Sequence, residues 1–246
     1  MMTKKNLIAG AGWLGWPLAL ELQKCGHIVS VLGRSESKQK PFSRHGIPYF
    51  LTNYSSIPVD KVSCDVLVIC IPPVDGYLVI LRYLLDSIST QYIVFTSSTS
   101  VYAQTFGEVD EESMCAGNPL LLQAEQLLLS SEIPTAVLRL GGLVGIGRHP
   151  AKHFSGKINI PNGNAPVNIV HQGDVIQFIC TMVSASTQGV FNVVNPAHPT
   201  RKEYYEKKCI EQGLAPCRFT NEGQGKIVHG NKIVMRTGLP YSYSIV

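Results

Sequence analysis

The amino-acid sequence predicts an α/β fold, a doubly wound parallel sheet with a small C-terminal substrate-binding region. Three observations predict it. Short β-branched runs alternate with helical segments through the first 140 residues, the pattern of βαβ units. One run, DVLVICI at 65–71, is apolar on both faces, as a strand covered by helices on each side must be. A glycine-rich turn stands where the first strand would pass into the first helix.

In chain order the pattern gives a strand at 5–10, a helix at 13–25, a strand at 27–32, a polar turn and a strand at 47–51. The buried strand at 65–71 follows, then a helix at 76–89, a strand at 91–97, a helix at 118–132 and a strand at 135–140. Beyond Gly141 the pattern loosens, with turn signals at Pro150, Pro161-Asn162-Gly163-Asn164 and Asn195-Pro196. A T-x-x-E capping box at Thr200 and Glu203 then opens a helix. The expected division is a nucleotide-binding core at 1–140 and a mixed region at 141–246 that completes the sheet and forms a small substrate lobe.

Composition narrows the functional classes. At 246 residues, with 45% hydrophobic and 15% charged side chains, the chain can bury a large core, and disorder, collagen and coiled coil are excluded. The net charge of +4 is spread along the sequence, which favours anionic small ligands over a nucleic-acid surface. Seven cysteines, at 25, 64, 70, 115, 180, 209 and 217, contain no C-x-x-C pair. Such a set fits free core thiols in a reducing compartment, so a cytoplasmic location is expected. Lys4-Lys5 followed by the apolar stretch 7–20 imitates a signal peptide, but glycines at 10, 12 and 15 give that stretch another purpose. No run reaches the roughly 20 apolar residues of a membrane span.

Gly10-Ala11-Gly12-Trp13-Leu14-Gly15 has the form G-x-G-x-x-G between strand and helix, the signature of a Rossmann-type dinucleotide site. The glycines permit a tight turn, let backbone approach a pyrophosphate and let the helix pack on the strand, while the helix N-terminus offers free N–H groups. The bland alternative is a ligand-free glycine turn. About 20 residues past the motif, where an acid would bind the ribose 2′-hydroxyl of NAD, stand Arg34, Ser35 and Lys38. A guanidinium can hold a 2′-phosphate bidentately, so NADP is expected, with NAD possible; the alternative is a solvated basic turn. Ile71, Pro72 and Ser97, at the carboxyl ends of two strands where open α/β sheets place ligands, complete the expected cofactor-binding set.

The stretch Phe95-Thr96-Ser97-Ser98-Thr99-Ser100-Val101-Tyr102 runs from a buried strand into a hydroxyl cluster. With Arg139 to Arg148, Asn168-Ile169-Val170-His171-Gln172-Gly173-Asp174-Val175, Gly189 to Val193 and Asn231 to Gly238, it resembles the NAD(P)-dependent epimerase/dehydratase family of the extended short-chain dehydrogenase/reductase superfamily. The resemblance covers most of the chain. It implies that Ser98 is the catalytic Ser/Thr, that Arg148 is the arginine of the Y-G-P-G-R loop, and that His171 and Asp174 belong to the H-x-x-D-V segment near the substrate. The glycine spacing departs slightly, with Ala9 where the family has its first glycine.

A larger departure concerns proton transfer. The family uses the tyrosine and lysine of a Y-x-x-x-K helix, the lysine lowering the phenol pKa. Matching Glu125-Gln126 to the pair that follows the lysine puts Gly117 at the tyrosine position and Leu121 at the lysine position, and neither can move a proton. The chain is therefore similar to short atypical members that keep the cofactor fold without the dyad. Tyr102 is a provisional substitute acid/base; a packed tyrosine is the other reading. His149 and His153 are spaced i, i+4, but Pro150 intervenes and no carboxylate follows at ligand spacing, so no metal is expected. The basic loop 148–157 suits an anionic or sugar-like substrate met by Arg148, His149 and His171, or is a solvated loop.

Finally, residues 119–132 carry leucines at 120, 121, 122, 127, 128 and 129, too many for one buried stripe. The resemblance implies a homodimer through this helix; cover by the C-terminal segment is the monomeric alternative. Two functional readings result: an NADP(H)-dependent epimerase/dehydratase-like oxidoreductase, or a non-catalytic NADP(H)-binding sensor or scaffold.

Overall fold

The structure, a computed structural model, describes residues 2–54 and 62–245. Its strands are β1 (Lys5–Ala9), β2 (Ile28–Gly33), β3 (Tyr49–Leu51), β4 (Val62–Ile69), β5 (Ile88–Ser98), β6 (Gly107–Val109), β7 (Thr135–Leu140), β8 (Gly142–Val144), β9 (Ile169–His171), β10 (Gly189–Val193) and β11 (Lys226–Val228). Its helices are α1 (Gly15–Lys24), α2 (Gln39–Arg44), α3 (Tyr77–Ser87), α4 (Pro119–Leu129), α5 (Gln172–Ala185), α6 (Arg201–Glu211) and α7 (Asn231–Thr237).

A seven-stranded sheet runs in the order β10-β7-β5-β4-β1-β2-β3, with parallel pairing wherever β1 to β5 meet. From β1 the chain winds outward through β2 and β3, then returns to β4 and winds the other way. The direction reverses between β1 and β4, the switch point at whose carboxyl edge such sheets open a crevice. The register aligns these edges, since Ala9 pairs with Leu32 on one side and Ile69 on the other. β4 occupies the middle of the sheet, and its residues Val66, Leu67, Val68 and Ile69 are all buried, as its two apolar faces required.

The chain forms two compact units, each assembled from three stretches: Met1–Ser98, Asn118–Leu138 and Ile176–Val190 in the first, and Thr99–Gly117, Arg139–Val175 and Phe191–Val246 in the second. In the first unit α1 buries Leu18, Ala19 and Leu22, α3 buries Tyr77, Leu81 and Leu84, and α4 buries Leu121, Ala124, Glu125 and Leu128. The other leucines of α4 are only partly covered, and Leu129 is exposed. Asn118 caps α4 by accepting from Leu121 N at 3.2 Å.

The stretch after β2, read as a polar turn, instead holds a 3₁₀ turn (Glu36–Lys38) and α2. Phe42 is the only buried residue of α2, so no apolar period betrays the helix.

The second unit packs a cluster that includes Tyr204, Tyr205, Cys209, Cys217 and Phe219 under α6. The capping box of α6 is complete: Glu203 N donates to Thr200 Oγ1 at 3.2 Å, and Thr200 N to Glu203 Oε2 at 2.9 Å. Two parallel three-residue pairs, β6 with β11 and β8 with β9, escaped the sequence reading because alternation needs more residues to show. The segment after α7 is stitched to Asp174, whose Oδ1 accepts from Ser242 N at 2.7 Å and Tyr243 N at 3.3 Å. Gly173 permits this, since a Cβ there would lie 2.3 Å from the Tyr243 ring.

Candidate functional site

The first unit opens a cavity of about 300 Å³ at the switch point. Gly10, Gly12, Arg34, Ser35, Lys38, Ile71 and Pro72, all expected at a cofactor site, line it together. Ala11, Tyr49, Tyr54 and Cys70 join them. The turn is built by close backbone approach: Gly10 N donates to Leu32 O at 3.0 Å, and Cys70 N to Ala9 O at 2.8 Å. A Cβ on Gly10, whose φ is +117°, would lie 2.8 Å from the Cys70 carbonyl carbon. At Gly12 a Cβ would meet nothing within 4 Å. Protein packing thus requires the first glycine, whereas the second leaves room beside the helix N-terminus. No side chain caps α1 and no acid stands in its first turn, which keeps that end electropositive.

Trp13, Leu14, Gly15 and Ser97 do not line the cavity. Leu14 is buried, and Gly15 lets the Gly10 carbonyl close over the helix, a Cβ there lying 1.9 Å from Gly10 O. Ser97 is buried and donates to Glu125 Oε1 at 2.5 Å. Leu14 and Gly15 thus shape the turn, and Ser97 ties the strand end to α4.

Among the described residues the lining contains two cationic side chains and no carboxylate. Burial raises the Tyr49 and Tyr54 phenols and pushes the Cys70 thiol up to about 12, so these three are neutral at pH 7. Arg34 and Lys38 therefore set the sign of the cavity.

Ser98 ends β5 and is half-buried. In the second unit, Tyr102 is 2% exposed; its hydroxyl donates to Asn192 Oδ1 at 2.7 Å and accepts from Arg139 Nη1 at 2.9 Å. Burial raises its pKa against the pull of Arg139. Lys226 Nζ donates to the Tyr102 carbonyl at 2.9 Å. Tyr102, expected as a provisional acid/base or as a packed tyrosine, thus lies buried with its hydroxyl held between Asn192 and Arg139.

The remaining expected substrate residues have separate engagements. Arg148 is exposed and closes a turn, with Gly145 N donating to Arg148 O and Arg148 N to Gly145 O, both at 3.0 Å. His149 Nδ1 accepts from Ala151 N at 3.1 Å, so Nε2 carries the proton and donates to Tyr204 Oη at 2.8 Å. His171 stacks on Tyr243 with centroids 4.2 Å apart, and its Nδ1 accepts from Gly173 N at 3.1 Å. Burial lowers both imidazole pKa values, with Lys208 adding to the effect at His149. Among the described residues no cluster of three His, Cys, Asp or Glu side chains could hold a metal ion, and no helix is long and apolar enough to cross a membrane.

Gly117, where the resemblance would place the tyrosine, is crowded by backbone. A Cβ on Gly117 would lie 2.2 Å from Ser100 O and 2.8 Å from Val101 O, and Gly117 N donates to Val101 O at 2.8 Å. Leu121 is buried at 4% exposure. At Gly117 the backbone of residues 100–101 thus stands where a Cβ would be.

Protein YeeZ of Escherichia coli strain K12 is 36% identical, in a match spanning 98% of this chain and 96% of that protein. The chain belongs to the YeeZ family. No protein-family model matches it. Among solved structures, a candidate NAD-dependent epimerase/dehydratase from Methylobacillus flagellatus superposes with a TM-score of 0.77 at 24% identity, covering 96% of this chain and 92% of that one. UDP-glucuronic acid 4-epimerase from Bacillus cereus, in complex with NAD, gives a TM-score of 0.79 at 15% identity over 98% and 93% of the two chains. This YeeZ-family chain therefore has the fold of the epimerases and dehydratases of the short-chain dehydrogenase/reductase superfamily, as the motifs implied.

The cavity residues that sequence reasoning missed are Tyr49, Tyr54 and Cys70; of these only Cys70 carried a signal, since it directly precedes Ile71 and Pro72 at the end of the central strand. Glu125, Arg139 and Asn192 lay within quoted motifs, but their bonds to Ser97 and Tyr102 were not foreseen.

Proposed function

We propose that the chain is an NADP(H)-dependent, epimerase/dehydratase-like oxidoreductase acting on a small anionic or sugar-like substrate. One observation carries this reading: Arg34, Ser35 and Lys38 share one cavity with the Gly10–Gly12 turn. The turn and the uncapped α1 N-terminus suit a pyrophosphate, while Arg34, Ser35 and Lys38 suit a ribose 2′-phosphate. Ile71 and Pro72 supply the apolar wall. Solved structures of the same fold contain NAD, and one neighbour is described in complex with both UDP-glucose and NAD. When bound, the nicotinamide cofactor supplies hydride transfer. Ser98 orients a substrate oxygen, Tyr102 braces the turn at 99–102, and the exposed Arg148 suits an anionic group.

A second reading is favoured by Gly117 and Leu121: with Gly117 crowded by backbone, the chain serves as an NADP(H)-binding sensor or scaffold. We also infer a homodimer through α4, on whose flank Leu127 lies half-covered beside a groove with Leu78 and Arg82 of α3.

Calorimetric titration with NADPH and NADH in parallel tests the nucleotide assignment. The expected result is a preference for NADPH that Arg34→Asp abolishes; no binding of either at millimolar concentration refutes it. Cofactor-linked turnover in a substrate screen then separates the enzyme from the sensor.

A further inference from the structure

We propose that Tyr49 is a positioning residue that selects NADP(H) over NAD(H) by fixing the Arg34–Ser35 turn; the inference rests on the NADP(H) reading above. Tyr49 pairs with Val31 across the β2–β3 ladder, and Phe50 and Leu51 pair with Leu32 and Gly33. Residues 31, 33 and 35 fall on alternate positions of one line of chain, so a phenol leaning along the strands from Val31 must pass over residue 33. Residue 33 is glycine. A Cβ there would lie 2.3 Å from Tyr49 Oη, so the path of the ring exists only because that side chain is missing.

At the end of this path the hydroxyl grips one residue from both sides. It donates to Ser35 O at 2.8 Å and accepts from Ser35 N at 3.2 Å. Ser35 directly follows Arg34 and precedes the 3₁₀ turn that ends at Lys38. The ring is itself buttressed: Tyr49 stacks on Phe42 at 5.4 Å, and Phe42 meets Trp16 of α1 edge-on at 4.6 Å. An aromatic column thus runs from the helix that follows the glycine turn to the segment carrying Arg34.

The hydroxyl is not needed to hold the strands. Val31 N to Pro48 O at 2.9 Å and Thr52 N to Gly33 O at 3.0 Å pair β2 with β3 on either side of it. Its two bonds serve the turn alone. Without them Ser35 N loses its partner and Ser35 O keeps only Lys38 N, at 3.1 Å, so the turn that carries Arg34 is no longer tied to β3 and is held only by its own local bond. A guanidinium that must be ordered at binding holds a phosphate less well than one already fixed, and only the cofactor bearing the 2′-phosphate feels the difference.

Tyr49→Phe keeps the ring, its stacking and both ladder bonds. Titrations of wild type and variant with NADPH, NADH and 2′,5′-ADP measure the effect. The expected result is about tenfold weaker binding of NADPH and of 2′,5′-ADP, with NADH unchanged and thermal unfolding as in wild type. An unchanged ratio in Tyr49→Phe, or equal weakening of both nucleotides, overturns the role of Tyr49 while leaving the NADP(H) reading in place. A wild type with no preference for NADPH overturns the reading itself, and the inference with it, before any variant is compared.

Discussion

The closed position at Gly117 makes a quantitative prediction. Gly117 is not among the glycines with positive φ, so Gly117→Ala introduces no backbone strain, and at an uncrowded site it would stabilise by about 0.4–1 kcal/mol through the unfolded chain. Here the new Cβ would lie 2.2 Å from Ser100 O and 2.8 Å from the Val101 carbonyl carbon and oxygen. All three contacts are backbone, which cannot rotate away as a flexible side chain can. Overpacking of this kind costs about 1–3 kcal/mol, and for a chain of this length each kcal/mol lowers Tm by about 2–4 °C. Gly117→Ala should therefore melt roughly 2–12 °C below wild type in a thermal scan, with a matching fall in urea midpoint. A Tm equal to or above that of wild type refutes the reasoning, since the turn at 100–101 would then yield to a side chain. The same argument makes the pair Gly117→Tyr and Leu121→Lys a poor repair: a phenol is larger than a methyl, and an ammonium would replace a leucine at 4% exposure.

Other perturbations have definite expected outcomes. Tyr102→Phe leaves Asn192 Oδ1 and Arg139 Nη1 one partner short in a buried site and should cost about 1–3 kcal/mol by urea denaturation, with NADPH affinity retained; unchanged stability would mean the hydroxyl ties nothing together. Thr200→Ala removes the α6 cap and should cost about 1 kcal/mol, a loss that Thr200→Ser restores. Both His149 and His171 accept a backbone N–H at Nδ1 and have lowered pKa values. The unfolded chain takes up their protons first, so their contribution to stability is whole above pH 6.5 and is lost as pH falls through the lower folded values. Proton NMR titration of the folded protein should place both midpoints below 6.5, and a midpoint at or above that value contradicts the burial argument. If α4 forms the dimer contact, light scattering should show a dimer for wild type and a monomer for Leu127→Glu; a wild-type monomer dismisses that interface.

Much of this fold was legible because sequence period and burial agree. The two-faced apolar strand became the central β4, and the capping box opened α6 with both of its bonds formed. Seven of the residues assigned to the cofactor lie around one cavity because a glycine turn, a strand end and its neighbour's end are brought together by the parallel register. What stayed hidden depended on contacts distant in sequence. Tyr49 looked like one residue of an edge strand, and nothing local shows that its hydroxyl reaches Ser35. Tyr102 ends a hydroxyl-rich stretch, and nothing local shows that its hydroxyl donates to Asn192, 90 residues later. Glu125, in a leucine-rich helix, gave no sign that Ser97 would meet it in a buried pair. Short elements such as α2 and the three-residue ladders were invisible for lack of length.

The order in which the chain visits its two units restricts how it could have diversified. The polypeptide crosses from one to the other at 98/99, 117/118, 138/139, 175/176 and 190/191. Neither unit is a contiguous stretch, so recombination cannot lift out the half that holds the glycine turn and splice it to a foreign partner, as it can with domains strung on a linker. New specificities must instead arise in place, by substitution or by insertion into surface turns such as the one at Gly145–Arg148. Interleaving of this kind makes the pair heritable only as a whole.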